Sequence, residues 1–311
     1  MPFNAPAIER TSYRPLDARC LYNVREYVDF PKARLQSAWG SENFALFALE
    51  DGTGAGPAVW CHGLKPDQHA FNNRGGWVFP FRNHAAEGRG HYLAPALVGG
   101  LAAAYGEAVA ALDIFDAMLA LLSATSYTTR FGFDLEDDFP HVPFPADREG
   151  FAEAARIGAR LRALQGLSAA PGTGFRSARL VGQASGPALD VPTPRRAFVA
   201  DGDVGTVALL ADRSLVLGGV GARVWDFSVS GYPVLPRWLR ARNGEALTGA
   251  GGATLQRAVL DVAWRIEELL CLFDRADGIL ERALEAPLTR GDLGLAQGRG
   301  ETALEDDDAP A

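Results

Sequence analysis

The spacing of apolar residues along this chain changes from strand-like to helix-like and back. Phe44–Leu49 and Ala58–His62 are short apolar runs bounded by turn residues, which predicts buried strands. Cys20–Tyr22 and Tyr27–Val28 predict shorter strands, residues 1–10 a loose leader and Lys32–Trp39 a helical turn. Gly75-Gly76 then breaks the chain before Trp77–Phe81, where Pro80 predicts an edge strand because proline has no donor for a central ladder. From Pro95 the spacing lengthens, and a helix over 96–105 ends at Gly106. Val109, Leu112, Phe115, Leu119 and Leu122 predict a helix over 107–122, and Phe151, Ala155, Gly158, Leu161 and Leu164 another over 151–167. Between them Phe139–Pro145 reads as a proline-bounded extended linker. Residues 175–229 return to strand character, with neighbouring strands over 204–210 and 215–217, a glycine turn at 218–221 and a strand over 224–229. Leu255–Leu284 predicts one long amphipathic helix, with Asp277-Gly278 as the place for a break, and beyond Pro287 little is expected to pack.

The stretch Trp225–Arg242 organises the rest. A strand ends at Ser230-Gly231, and Pro233 suits a first helical turn because its missing N–H is not needed there. Val234, Leu235, Trp238 and Leu239 share one helical face, leaving Arg237, Arg240 and Arg242 to point elsewhere. The predicted fold class is α+β, two β-containing lobes joined and closed by amphipathic helices. The expected divisions are a β-rich first lobe over 1–92, a helical middle over 93–170, a second β lobe with C-terminal helices over 171–286, and a disordered acidic tail over 287–311.

Composition adds limits. The 311 residues are 48% hydrophobic and 22% charged, a globular balance. No secretory signal is evident, and the most apolar region, 93–122, is interrupted by Glu107, Asp113 and Asp116, so no membrane partner is expected. Three scattered cysteines, Cys20, Cys61 and Cys271, suit reduced thiols and a cytoplasmic setting. The net charge of −8 argues against a general polyanion binder, although Glu301–Asp308 holds five carboxylates and no base. Lys32 and Lys65 are the only lysines, so positive charge is carried by arginine, which forms bidentate contacts to guanine or phosphate.

Catalytic chemistry is hard to find. Gly52–Gly56 follows a strand, but Pro57–Trp60 reads as another strand rather than the helix a nucleotide loop needs, so a hairpin loop is expected. Neither lysine lies in a phosphate-binding loop, and Phe30 and Gly63 stand where a metal-dependent nuclease places its carboxylate before Lys32 and Lys65. No Pro-Pro pair exists for an amino-methyltransferase tetrad. Cys61-His62 with His69 falls short of a zinc set and reads as a buried cysteine beside a surface histidine. Asp201–Gly205 reads as a turn, and Glu136-Asp137-Asp138 as loop solvation rather than an acid–base pair.

Five stretches carry a resemblance. Tyr13–Arg19, Trp77–Phe81, Asp113–Phe131, Phe139–Pro145 and Trp225–Thr248 are similar, in matching order, to the C-terminal target-recognition region of Type ISP restriction–modification enzymes. The departures are Leu16 where phenylalanine is usual, Ala124–Tyr127 in place of a His-Ser-Pro turn, and His141 where arginine is common. The resemblance implies sequence-specific recognition of duplex DNA for an adenine methyltransferase of a phage-defence system. The nuclease, helicase and methyltransferase parts would lie elsewhere. No cofactor or metal is expected in this chain; AdoMet would be held by a partner or parent methyltransferase. Candidate DNA contacts are Arg14, Arg19, Asn43, Asn73, Arg74 and Arg82 in the first lobe and Arg237, Arg240 and Arg242 in the second. Arg14, Asp17 and Arg19 also suit an internal ion-pair network. The alternative is a protein-interaction subunit that docks on a methyltransferase or helicase–nuclease without touching DNA.

Overall fold

The structure of the chain is a computed structural model and describes residues 3–24, 35, 39–40, 42–71, 75–84, 90–247 and 254–295. The fold is α+β, and every sheet among the described residues is antiparallel. Strands β1 (Ile8–Arg14) and β2 (Asp17–Tyr22) form a hairpin, so the expected leader is already strand from Ile8. Strands β3 (Ala45–Ala48), β4 (Val59–His62) and β5 (Trp77–Pro80) form a sheet in the order β4-β3-β5, with β5 at the edge as its proline requires. β3 and β4 are buried along their whole length, which explains their uninterrupted apolar runs. The Tyr27–Val28 strand and most of the Lys32–Trp39 turn lie outside the described residues.

The helices follow. Helix α1 (Pro95–Tyr105) ends on Gly106 at φ 70°, a left-handed cap. Helix α2 (Ala111–Leu122) begins four residues later than its apolar spacing suggests, because Ala110 is extended and precedes its first turn. A single turn, α3 (Tyr127–Arg130), leads to α4 (Arg148–Gln165), whose N-cap Asp147 accepts from the Gly150 amide. α2 and α4 touch backbone to backbone: a Cβ on Gly158 would stand 1.7 Å from the Asp116 carbonyl oxygen. Beside that contact the buried Asp116 carboxylate takes Arg162 through Nε at 2.7 Å and Nη2 at 3.0 Å. Burial pushes the Asp116 acid above its usual range, and the Arg162 guanidinium opposes that shift.

The second half carries a four-stranded sheet in the order β6-β9-β8-β7, built from β6 (Arg179–Gly182), β7 (Phe198–Asp201), β8 (Val204–Ala208) and β9 (Leu215–Gly221). The short helix α5 (Pro194–Ala197) precedes β7. Asp201–Val204 closes the β7–β8 hairpin with Gly202 at φ 64°, the turn expected there. Two expectations fail nearby. Gly218–Gly221 continues strand β9 rather than turning, since Gly219 at φ 72° lets the strand pass close to Ser177. Residues 224–229 are not one strand: Ala222–Trp225 forms helix α6, and only Ser228–Val229 is strand β10. Phe198 stacks on Trp225 at 5.5 Å, so tertiary packing overrides local strand preference.

Strand β10 pairs with β11 (Tyr232–Pro233), and helix α7 follows over Val234–Arg240 with Pro233 as its N-cap, so the helix stops two residues short of Arg242. Helix α8 (Leu255–Glu285) runs unbroken through Asp277-Gly278, capped by Thr254. It packs on α4, α2, β6 and β9, which places the helices between the first sheet and the second. One buried apolar cluster runs through all of these layers. The stretch after Pro287 packs more than expected: the Leu288 amide donates to the Phe144 carbonyl, and Leu293 is buried. Residues 296–311 lie outside the described residues. Among the described residues, no helix is long and apolar enough to cross a membrane.

Candidate nucleic-acid interface

The organising stretch and the first signature meet in space. Ser230 and Gly231 have φ of 45° and 76°, the doubly positive pattern of a tight hairpin turn between β10 and β11. That hairpin sits on the glycine loop between β3 and β4. The Gly231 amide donates to the Ala55 carbonyl at 2.7 Å, and the Gly54 amide to Ser230 Oγ at 3.1 Å. A Cβ on Gly56 would stand 1.9 Å from the Ser228 carbonyl oxygen. The glycines after β3 therefore give the hairpin a seat, and the loop joins two antiparallel strands as expected.

Helix α7 leaves this hairpin with Val234, Leu235, Trp238 and Leu239 buried and Arg237 and Arg240 exposed. Its inner face is bolted to the β1–β2 turn. Trp238 Nε1 donates to the Leu16 carbonyl at 3.1 Å, where Leu16 is held at φ 57°. Asp17, 4% exposed, accepts from Arg242 Nη2 at 2.5 Å and from Arg19 Nε at 2.9 Å. The Arg242 guanidinium lies 3.6 Å over the Trp238 ring and donates to the Trp238 carbonyl at 3.0 Å. Arg19 also reaches Glu245 at 3.4 Å.

The nine residues named from the sequence now separate. Arg242 and Arg19 are engaged internally around Asp17, so the ion-pair network exists with Arg242 as its third member. Arg14 instead meets Asp67 at 3.5 Å and lies 4.1 Å over the exposed Tyr13 ring. Asn43 is buried: its Nδ2 donates to the Arg82 carbonyl, and its Oδ1 accepts from the Phe44 and Arg82 amides, clamping β3 to the end of β5. Asn73 and Arg74 lie outside the described residues. Arg237 and Arg240 remain outward, Arg237 6.0 Å from the Tyr232 ring. The Tyr232 hydroxyl is pushed up chiefly by burial, and the charges of Arg14, Asp17 and Arg237 act on it. The result is a ridge of arginines and tyrosines assembled from residues 13–14 and 232–240. Its two tyrosines, Tyr13 and Tyr232, also fall within stretches that carry the resemblance.

The other sequence-level sites resolve differently. Among the described residues, no three His, Cys, Asp or Glu side chains are grouped to hold a metal. His62 is fully buried rather than superficial; its Nδ1 meets Ser12 Oγ at 2.8 Å, and burial pushes the imidazole down to about 3. Cys61 is buried and its thiol pushed up by desolvation, which suits packing rather than reactivity.

The Type ISP C-terminal specificity domain family matches residues 1–264, and the chain belongs to that family. Among solved structures, the fold is similar to that in a nuclease-deletion mutant of the Type ISP restriction–modification enzyme LlaGI in complex with a DNA substrate mimic. The TM-score is 0.62 at 17% identity, covering 93% of this chain and 22% of that one. A DrdV–DNA complex gives TM-score 0.63 at 19% identity, covering 90% and 28%. The ATP-dependent Type ISP enzyme LlaBIII bound to DNA gives 0.65 at 13% identity, covering 93% and 19%. The chain thus spans less than a third of each of these proteins. No curated protein matches it.

Proposed function

We propose that this specificity domain recognises duplex DNA in a sequence-dependent way. In this reading it presents a target adenine to a methyltransferase outside this chain, which would bind AdoMet. The observation that carries the reading is the ridge. Arg237 and Arg240 have no ion-pair partner among the described residues and are exposed on a helix whose inner face is fixed by Trp238, Arg242 and Asp17. Two exposed guanidiniums on a rigid bearing, beside Tyr13 and Tyr232, suit phosphate positioning and base-edge contact. The DNA in the LlaGI, LlaBIII and DrdV complexes is consistent with that use.

The test begins with selection of bound duplexes from a random library, followed by anisotropy titration of the winner. Arg237→Ala with Arg240→Ala should weaken binding tenfold or more and lower the salt slope by about 2, as two phosphate contacts are lost. Stability should stay within about 0.5 kcal/mol, since both side chains are exposed. A library that yields no preferred sequence, or a double variant that binds like the parent, would sink the reading.

A second reading, docking on a methyltransferase or helicase–nuclease subunit, is favoured by a different face. Trp77 and Phe79 on the edge strand are 43% and 45% exposed and pack edge-on to Phe139. Exposed carboxylates adjoin this face: Glu50 accepts from Trp77 Nε1 at 3.0 Å with Asp51 next to it in the chain, and Glu136, Asp137 and Asp138 directly precede Phe139. Such a face repels DNA and suits a cationic protein surface. Trp77→Ser with Phe79→Ser should leave duplex affinity unchanged while weakening assembly with a cognate catalytic subunit in size-exclusion chromatography. Loss of duplex binding in that variant would overturn this assignment.

A further inference from the structure

Between α4 and α8 lies a cavity of about 250 Å³, lined by none of the ridge residues, with Arg156, Arg160, Glu268 and Arg275 around it and Phe175 and Leu272 in its wall. The arginines of these two helices are sorted. Arg148 takes Glu107, Arg160 takes Glu268, Arg162 takes Asp116, Arg265 takes Asp261 and Arg282 takes Glu153. Arg257 lies 5.0 Å over the Trp264 ring. Arg156 and Arg275 have no hydrogen-bond or ion-pair partner among the described residues, and both line this one cavity.

The carboxylate in the cavity does not neutralise them. Glu268 accepts Arg160 Nε at 2.7 Å and Nη2 at 2.9 Å, and the Gly172 amide at 2.7 Å, so both its oxygens are engaged and its charge is matched by Arg160. The acids closest in sequence are engaged too. Glu153, one turn from Arg156, holds Arg282, and Asp274, beside Arg275, holds Arg223 through both oxygens. Arg156 and Arg275, both exposed and without an ion-pair partner among the described residues, thus line one cleft with an apolar wall. An anion in that cleft would offer both side chains charge-assisted hydrogen bonds.

We infer that this cleft binds a phosphate group. Its volume is below the roughly 300 Å³ at which sites for drug-sized ligands begin, so it admits one phosphate with a small apolar neighbour rather than a whole nucleotide. The phosphate comes either from the backbone of bound DNA or from a free phosphorylated molecule. The inference does not rest on the ridge as the DNA-reading surface.

The full chain is titrated calorimetrically with inorganic phosphate and pyrophosphate at low salt, and by anisotropy with a short duplex. The variants are Arg156→Ala with Arg275→Ala, Arg156→Lys with Arg275→Lys, and Arg237→Ala with Arg240→Ala; circular dichroism checks folding. Saturable pyrophosphate binding should fall tenfold or more in the cavity alanine pair, as charge-assisted hydrogen bonds are lost. It should be partly kept by the lysines and unchanged in the ridge pair. A parallel fall in duplex affinity, with a salt slope smaller by about 2, assigns the phosphate to DNA. Unchanged duplex affinity assigns it to a free molecule. Absence of saturable phosphate binding together with unchanged duplex affinity in the cavity pair overturns the inference, as does equal pyrophosphate binding by parent and cavity pair. Failure of the DNA reading shows separately, as parent chain that binds no preferred duplex.

Discussion

Arg240 and Arg242 differ by two positions and have opposite fates. One stands in solvent; the other is buried on Trp238 and Asp17. Helical spacing alone puts both on the outside, and it misleads because α7 ends at Arg240 and the chain turns inward. What decides is Asp17, a carboxylate 4% exposed that needs compensation. Asp17→Ala should cost about 3–5 kcal/mol, since Arg242 would be left buried without its acid; urea unfolding measures it. His62 sets a pH dependence. Its imidazole is held neutral and pushed down to about 3, whereas in the unfolded chain it titrates near the ordinary value of about 6.5. The unfolded state therefore binds the proton first, and stability falls as pH drops below about 6.5, by roughly 1 kcal/mol per unit. Urea midpoints at pH 7 and pH 5 should show the loss, and His62→Gln should reduce it.

At the scale of elements, the long periodic segments were legible. α8, α4 and the buried strands β3 and β4 lie close to where apolar spacing puts them, because each buries a whole face or both faces. The short pieces were not. Val224-Trp225 reads as strand by composition yet is helical, since Trp225 stacks on Phe198. Gly218–Gly221 reads as a turn yet extends β9, because a glycine-rich run gives the same signal for a bulge as for a reversal. Gly158 shows how tightly the helices cross. Gly158→Ala should destabilise by about 1–3 kcal/mol, because a Cβ has nowhere to go against the Asp116 carbonyl. Thr254→Ala removes the cap of α8 and should cost about 1 kcal/mol, read from the same urea curves.

For the molecule as a whole, the α+β class and the family were legible, because signatures carrying the resemblance fall at packed junctions: the β1–β2 turn, the β5 edge and the α7 hairpin. The candidate site was legible only in part. The arginines of the ridge stood in the signatures, but the pairing that separates Arg237 and Arg240 from Arg19 and Arg242 depends on contacts between distant segments, which spacing does not report. If the catalytic parts lie outside this chain, the chain alone should transfer no labelled methyl from AdoMet to duplex DNA, and adding a methyltransferase subunit should restore modification at one sequence. Transfer by the chain alone would require a donor pocket and a clamp for the flipped base that its motifs do not supply.

The bond from Arg242 to Asp17 joins positions 225 residues apart. During synthesis the β1–β2 turn leaves the ribosome early and waits, its carboxylate held only by Arg19, while the sheets and the α2–α4 pair emerge. The ridge comes into being only when the chain has been made past Arg242 and the hairpin has found its glycine seat. Long-range closures of this kind are slow relative to local helix formation. A nascent or prematurely stopped chain that ends before Arg242 therefore carries the Tyr13–Arg14 half of the ridge without the half that α7 supplies, so the surface proposed to grip DNA closes only when two ends of a long loop of chain meet.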